Sequence, residues 1–270
     1  MNNLTYFFKG MKLEQAWQGD FDFLANTGMP LEQLQQLQVV CENAPTDAAD
    51  IYRFLADKDF LFRSIYKKEK NVSREEQFVF PFIKGKTIPD GIKEVVGPIG
   101  TQTSKYHHET LQQHAAVVAA NLVDVGIEKA LAVKLALLHD IGKKYTSATN
   151  KIGEVCFYEH APVSAFIAGY WLRQWPISKR LAKKIVAVIY SHTFPYASWN
   201  ITKHWKTGEP VDYRRDFYKR QLIGYCSGNT AMADYIMSLI DTFAKCDEGI
   251  LEFNSVFAEK FIRGYGLIHE

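Results

Sequence analysis

A chain of 270 residues, 47% hydrophobic and 23% charged, has the composition of an ordinary globular protein and the length to bury a substantial core. Its net charge of +2 gives no global attraction to nucleic acid or to a membrane surface, so any basic patch must be local. No apolar run is long enough to span a bilayer, residues 1–30 read as no cleavable leader, and Cys41, Cys156, Cys226 and Cys246 form no C-x-x-C pair. This argues against a zinc ribbon or disulfide scaffold and predicts a cytoplasmic protein.

The predicted elements are almost all helices. Pro30 to Asn43 reads as one, with Pro30 near the first turn, where its missing N–H costs nothing. The stretch from Thr46 to Lys70 has a threonine cap, early acids and late lysines, as the helix dipole favours. "SREEQFVFPFI" opens with Ser73 and Glu76 at capping-box spacing, and Pro81 kinks or ends that helix. The Gly/Pro-dense stretch from Lys84 to Gln102 is the best boundary, dividing an N-terminal helical segment (1–100), packed on the core, from a second unit (101–270). Further helical patterns run over Tyr106–Val123, Glu128–His139, Ala161–Arg173, Ser178–Ser191, Phe217–Cys226 and Ala231–Gly249, with a last short one in "FNSVFAEKFIRGYG". One small hairpin is expected, at Asn150–His160, where β-favouring residues flank a glycine turn. The fold class is therefore an all-α bundle.

Histidine and aspartate recur at the edges of these helices. His114 lies inside one, His139 and Asp140 close the next, His160 precedes a start and His192 follows an end. Burying an imidazole and a carboxylate side by side is unfavourable unless something pairs with them, and a metal ion is one such partner. Imidazole nitrogen with carboxylate oxygen suits divalent transition metals better than calcium, and a helical bundle lets several helices project such groups into one volume.

The blocks "YHHETLQQHAAVVAANL", "LALLHDIGKKYT", "FYEHAPVSAFIAGYWL" and "AVIYSH" resemble, in this order, the HD superfamily of metal-dependent phosphohydrolases, in particular the HD modules of bacterial tRNA nucleotidyltransferases and related phosphodiesterases. The likeness runs from about Ser104 to Gly249 and implies an HD-type helical bundle with an additional N-terminal segment. It implies His114, His139, Asp140 and a late aspartate as primary metal ligands, with His160 and His192 completing a second metal. For the late aspartate, Asp247 in "FAKCDEGI" is preferred and Asp241 is the alternative. The cofactor implied is one or two divalent ions (Mn, Fe, Co, Ni, Zn or Mg). Lys143 matches a lysine that holds substrate phosphate. Nothing upstream resembles a nucleotidyltransferase.

The chemistry expected is hydrolysis of a phosphomonoester or phosphodiester by metal-activated water, with Asp140 and Lys143 as catalytic residues and Lys143 and Lys144 neutralising phosphate charge. Arg214 and Arg215, in the basic run "YRRDFYKR", are candidates for contact with a nucleic-acid or polyphosphate substrate, although such a run is more often a solvated helix face. Phe194, Tyr196 and Trp199 could stack on a base or pack a loop. His107, His108, His204 and His269 carry no assigned role. The substrate expected is a nucleotide or a nucleic-acid end, with RNA as a possible partner. A cyclic-nucleotide or 2',3'-cyclic phosphodiesterase, and a weakly catalytic RNA-binding or signalling module, are the alternatives.

Overall fold

The computed structural model describes residues 3–45, 50, 51, 54, 55, 111–151, 155–197, 202, 203, 210, 211 and 213–248. The helices expected over 46–70 and 73–83, the boundary at 84–102 and the last short helix fall wholly or mainly outside these residues. His107, His108, Trp199, His204 and His269 also lie outside them.

The described residues form an all-α fold. Four N-terminal helices, α1 (Thr5–Phe8), α2 (Leu13–Gln18), α3 (Phe21–Asn26) and α4 (Leu31–Glu42), precede α5 (Leu111–Asp124), α6 (Lys129–Leu138) and the short α7 (Lys143–Thr146). Then come α8 (His160–Gln174), α9 (Lys179–Ser191), the short α10 (Phe194–Ala197), α11 (Tyr213–Tyr225) and α12 (Thr230–Glu248). Two antiparallel strand pairs complete the description. β1 (Ala148–Thr149) pairs with β2 (Val155–Cys156), so the expected hairpin is present but its first strand lies just before the expected start at Asn150. β3 (Thr202–Lys203) pairs with β4 (Pro210–Val211), a pair the sequence pattern does not suggest.

Local chemistry sets the helix ends. The Glu128 carboxylate accepts from the Ala130 and Leu131 amides at 2.9 and 3.0 Å and starts α6. The Ser178 hydroxyl accepts from Leu181 at 3.2 Å and starts α9. Gly126, at φ +90°, turns the chain after α5, and the Ile127 amide returns to the Leu122 carbonyl. Two expected boundaries move: α11 begins at Tyr213 rather than Phe217, and His160 is the first residue of α8 rather than the residue before it.

Helix α6 is the centre of the bundle: Leu131, Ala132, Val133, Leu135, Ala136, Leu137 and Leu138 are all buried, so it is apolar on nearly every side. It packs against α5 and α9, while α8 packs against α9 and α2. The N-terminal helices belong to the same core. Trp171 of α8 is fully buried and donates its indole N–H to the Val40 carbonyl at 2.9 Å. Tyr190 of α9 donates to the Met11 carbonyl at 2.6 Å. Gly169 lets α2 come close, since a Cβ there would stand 3.3 Å from the Ala16 carbonyl oxygen. No helix among the described residues is long and apolar enough to cross a membrane.

Candidate metal centre

The C-terminal end of α6, where the apolar run stops, lies inside the bundle. His139 caps that helix and is fully buried, and Asp140 comes next at 2% exposure. His192 caps α9, His160 opens α8, His114 projects from α5 and Asp247 from the last turn of α12. Five helices thus deliver six donor residues to one buried place.

These donors fall into two groups, His114–His139–Asp247 and Asp140–His160–His192, with the ligand atoms of each within 4.8 Å of one another. Asp140 stands between them. Its Oδ2 is 3.1 Å from His139 Nε2 and 3.5 Å from His114 Nε2, whereas its Oδ1 is 3.3 Å from His160 Nε2 and 3.8 Å from His192 Nε2. In the first group His114 Nε2 is 2.8 Å and His139 Nε2 3.6 Å from Asp247 Oδ1.

The imidazoles are oriented by backbone. His139, His160 and His192 each place Nδ1 on the carbonyl three residues earlier: Ala136 at 2.8 Å, Phe157 at 2.7 Å and Ile189 at 2.6 Å. A carbonyl can only accept, so Nδ1 carries the proton in all three, and the lone pair of the neutral ring lies on Nε2, facing the site. Two of those carbonyls belong to the last turns of α6 and α9, which have spare acceptors at their C-terminal ends.

His139 Nε2 and both Asp140 oxygens are buried, with His139 Nε2 at ion-pair distance from Oδ2. They share one buried volume with the other candidate donors, an arrangement that suits the ligands of an ion. The residues present therefore fit one or two divalent cations, and nitrogen–oxygen donors of this kind suit transition metals.

Charge supports the same arrangement. Burial would raise Asp140, but His139 and the Lys143 ammonium outweigh it and hold the carboxyl well below the usual range. Asp247 is likewise held low, burial being overcome by His114 and His139. Burial pulls His139 down, but the Asp140 and Asp247 carboxylates lift it to about 9. Burial pushes His160 down to about 3 and His192 to about 4, against the pull of Asp140.

The predicted substrate-facing cations separate. Lys143 is buried with its ammonium 2.6 Å from Asp140 Oδ2. Lys144 turns the other way, donating to the Phe54 carbonyl with its ammonium 3.9 Å from the Phe54 ring centroid. Arg215 forms a two-pronged pair with Asp241 at 2.8 and 2.5 Å, and Lys219 pairs with Asp234 at 2.6 Å. Two of the four cations in the basic run of α11 are thus paired with α12. The Arg215 pair engages Asp241, while Asp247 sits beside His114. The side chains of Arg214 and Tyr196 lie outside the described residues. Phe194 packs edge-on against Tyr218, with ring centroids 4.9 Å apart.

Several supporting residues carry no clear mark in the sequence. Phe243 of α12 lies under the site, its ring centroid 5.1 Å from that of His139 and 5.9 Å from that of His192. Asn121, two turns after His114, donates to the Cys246 carbonyl at 3.0 Å and ties down the turn carrying Asp247. An amide on an otherwise apolar face was the available signal. The Ser164 hydroxyl accepts from the Gly142 amide at 2.8 Å and joins α8 to the turn after Asp140.

Compared with known families, residues 106–217 match the HD domain; Asp247 lies beyond the matched segment. No curated protein and no solved structure matches the chain. The paired histidine and aspartate on adjacent residues, the second group facing the other oxygen of that aspartate, and the family match agree: residues 106–217 match an HD domain, consistent with a metal-dependent phosphohydrolase module.

Proposed function

We propose that the chain hydrolyses a phosphomonoester or phosphodiester of a nucleotide or a nucleic-acid end, using two divalent ions. The observation that carries this reading is the position of Asp140, one oxygen toward each three-residue group, with Lys143 at 2.6 Å. His114, His139 and Asp247 would hold one ion, and His160 and His192 the other, with Asp140 offering an oxygen to both. When bound, a divalent ion supplies Lewis-acid polarisation of a phosphoryl oxygen and an activated water near neutral pH.

The protein's own groups do the rest. Lys143 fixes a positive charge beside Asp140, where it can neutralise a non-bridging phosphoryl oxygen in a site with little water. His139, His160 and His192, each anchored through Nδ1, keep Nε2 aimed inward without reorganising. Of the six candidate donors, the side chains of His160, at 15%, and Asp247, at 12%, are the most exposed, which supports an approach of the substrate beside them. Two aromatic residues directly precede the turn into His160 in the chain. Phe157 has its ring 5.6 Å from the Lys143 ammonium, and Tyr158 is 60% exposed. A base attached to the phosphate could stack there, and this favours nucleotide substrates.

The test is metal content by elemental analysis, then hydrolysis of bis-p-nitrophenyl phosphate, nucleoside monophosphates, 2',3'-cyclic nucleotides and phosphate-ended RNA oligonucleotides with added Mn, Co or Ni. Turnover of at least one class, abolished by Asp140→Asn, is expected. A folded protein that takes up no metal and turns over none of them would refute the reading. Preference for the cyclic substrates would select the cyclic-phosphodiesterase alternative. The RNA-binding alternative draws little from α11, whose Arg215 and Lys219 are paired with α12.

A further inference from the structure

The N-terminal residues 3–5 reach the edge of the metal centre. Leu4 is fully buried and anchors the segment, and its amide donates to the Tyr145 carbonyl at 2.7 Å. Asn3 Nδ2 donates to the Ser147 carbonyl at 2.9 Å, and Asn3 Oδ1 accepts from the Thr5 amide at 2.8 Å. The Thr5 hydroxyl then donates to the Tyr158 carbonyl at 2.9 Å. Three consecutive residues therefore bridge the base of the β1–β2 hairpin, from the end of the helix that begins with Lys143 to the turn that delivers His160.

That turn is strained. Glu159, a residue with a full side chain, lies in the left-handed region at φ 60° and ψ 18°, immediately before His160. Such a backbone persists only where its surroundings hold it on several sides. Here the hold is a short relay. The Thr5 hydroxyl fixes the carbonyl of Tyr158, and the preceding carbonyl, of Phe157, receives Nδ1 of His160 at 2.7 Å. The opposite nitrogen, Nε2, stands 3.1 Å from His192 Nε2 and 3.3 Å from Asp140 Oδ1.

We propose that Thr5 is a positioning residue for His160, so that the N-terminal segment tunes the affinity of the Asp140–His160–His192 group for its cation while the His114–His139–Asp247 group is indifferent to it. The proposal rests on the two-ion reading above. The Thr5 bond is on the surface, so its loss should barely move global stability. Loss of an outer partner of a ligating histidine characteristically weakens metal affinity by about tenfold or more, and a contact one step further out should fall at the low end.

The test titrates the full chain with Mn²⁺ alone, counting free ion by electron paramagnetic resonance, alongside thermal unfolding of the metal-free protein. Thr5→Val is expected to weaken the second equivalent of Mn²⁺ roughly three- to tenfold, leaving the first equivalent and the melting temperature at wild-type values, and Thr5→Ser to restore the second equivalent. Wild-type affinity for both equivalents in Thr5→Val would overturn the proposal. So would parallel loss of both equivalents with a lower melting temperature, or failure of Thr5→Ser to restore binding, since the role would then lie in the fold. His160→Ala is the reference: if it keeps both equivalents, the two-ion reading falls and takes the proposal with it. That result is distinct from a silent Thr5→Val beside a His160→Ala that has lost its second equivalent.

Discussion

Gly142 faces the backbone of His160 so closely that a Cβ at position 142 would stand 2.2 Å from the His160 carbonyl oxygen and 2.8 Å from the Ser164 amide nitrogen. Both obstacles are main chain and cannot swing aside. The glycine after the histidine–aspartate pair is thus what allows the first turn of α8 to lie against the turn carrying Asp140. It brings the two halves of the second ligand group to within 3.3 Å. Gly142→Ala should therefore push α8 away. The expected cost is about 1–3 kcal/mol of stability, with preferential loss of the cation held by Asp140, His160 and His192. Thermal unfolding and metal titration together check this; a variant that melts and binds like wild type would show that the approach can relax.

Lys143 and Lys144 provide a paired comparison. Lys143→Met keeps bulk and removes the charge beside Asp140, so kcat/KM on a phosphate ester should fall by roughly 100-fold or more, the scale of losing one electrostatic stabiliser. Bound metal should stay within the wild-type count. Lys144→Met should leave kcat/KM within about threefold, because its ammonium faces Phe54. Equal losses in the two variants would contradict the geometry.

The late aspartates separate in the same way. Asp247→Asn should abolish activity and weaken retention of the cation held with His114 and His139. Asp241→Asn should only release Arg215 from a pair whose side chains are 38% and 30% exposed, costing about 1 kcal/mol or less. Elemental analysis after dialysis, with unfolding midpoints, distinguishes them. Metal loss in Asp241→Asn with retention in Asp247→Asn would reverse the assignment.

The metal-free protein should have a stability maximum near neutrality, for a reason of sign. His139 is lifted from 6.5 to about 9, so what it contributes is complete below 6.5 and is lost as pH rises toward 9. His160 and His192 are pushed down to about 3 and about 4, so their contribution is complete above 6.5 and is lost as pH falls. Chelated protein should accordingly be most stable near pH 6.5. Stability should fall on the alkaline side by about 1.4 kcal/mol per pH unit, one proton's worth, and more steeply on the acid side, where two groups act. Loading with cation should remove the alkaline fall, because His139 must then be neutral. Denaturant unfolding between about pH 5 and 9 measures both limbs; an alkaline limb unchanged by metal would argue against His139 as a ligand.

The bundle and the places of the candidate donors were largely legible in the sequence because each is attached to a helix signal. His139 ends an apolar run, His192 ends a segment capped by Ser178, and Asp140 adjoins His139, so periodicity and caps locate them before any contact is known. What escaped was tertiary. Lys143 and Lys144 are equivalent in the sequence, yet one residue along a helix turns a side chain by about 100°, toward Asp140 in one case and toward Phe54 in the other. The basic run of α11 shows its charges but not the acids of another helix that meet Arg215 and Lys219. Helices α1, α2 and α3, of four, six and six residues, are far below the length at which a helix holds itself. They exist because Phe8, Trp17 and Leu24 are buried in the shared core. The β3–β4 pair, with two residues per strand, carries no periodicity to read.

Because the six donors come from five separate helices, no stretch of the unfolded chain holds more than a neighbouring pair of them. A cation would find its full cage only after the bundle has closed, and would then act as a latch on the finished molecule. At 100 times its dissociation constant, an ion that ignores the unfolded chain adds about 2.7 kcal/mol to the folded side of the balance. Scarcity of metal would thus be felt first as a shorter lifetime of the protein and only afterwards as slower turnover.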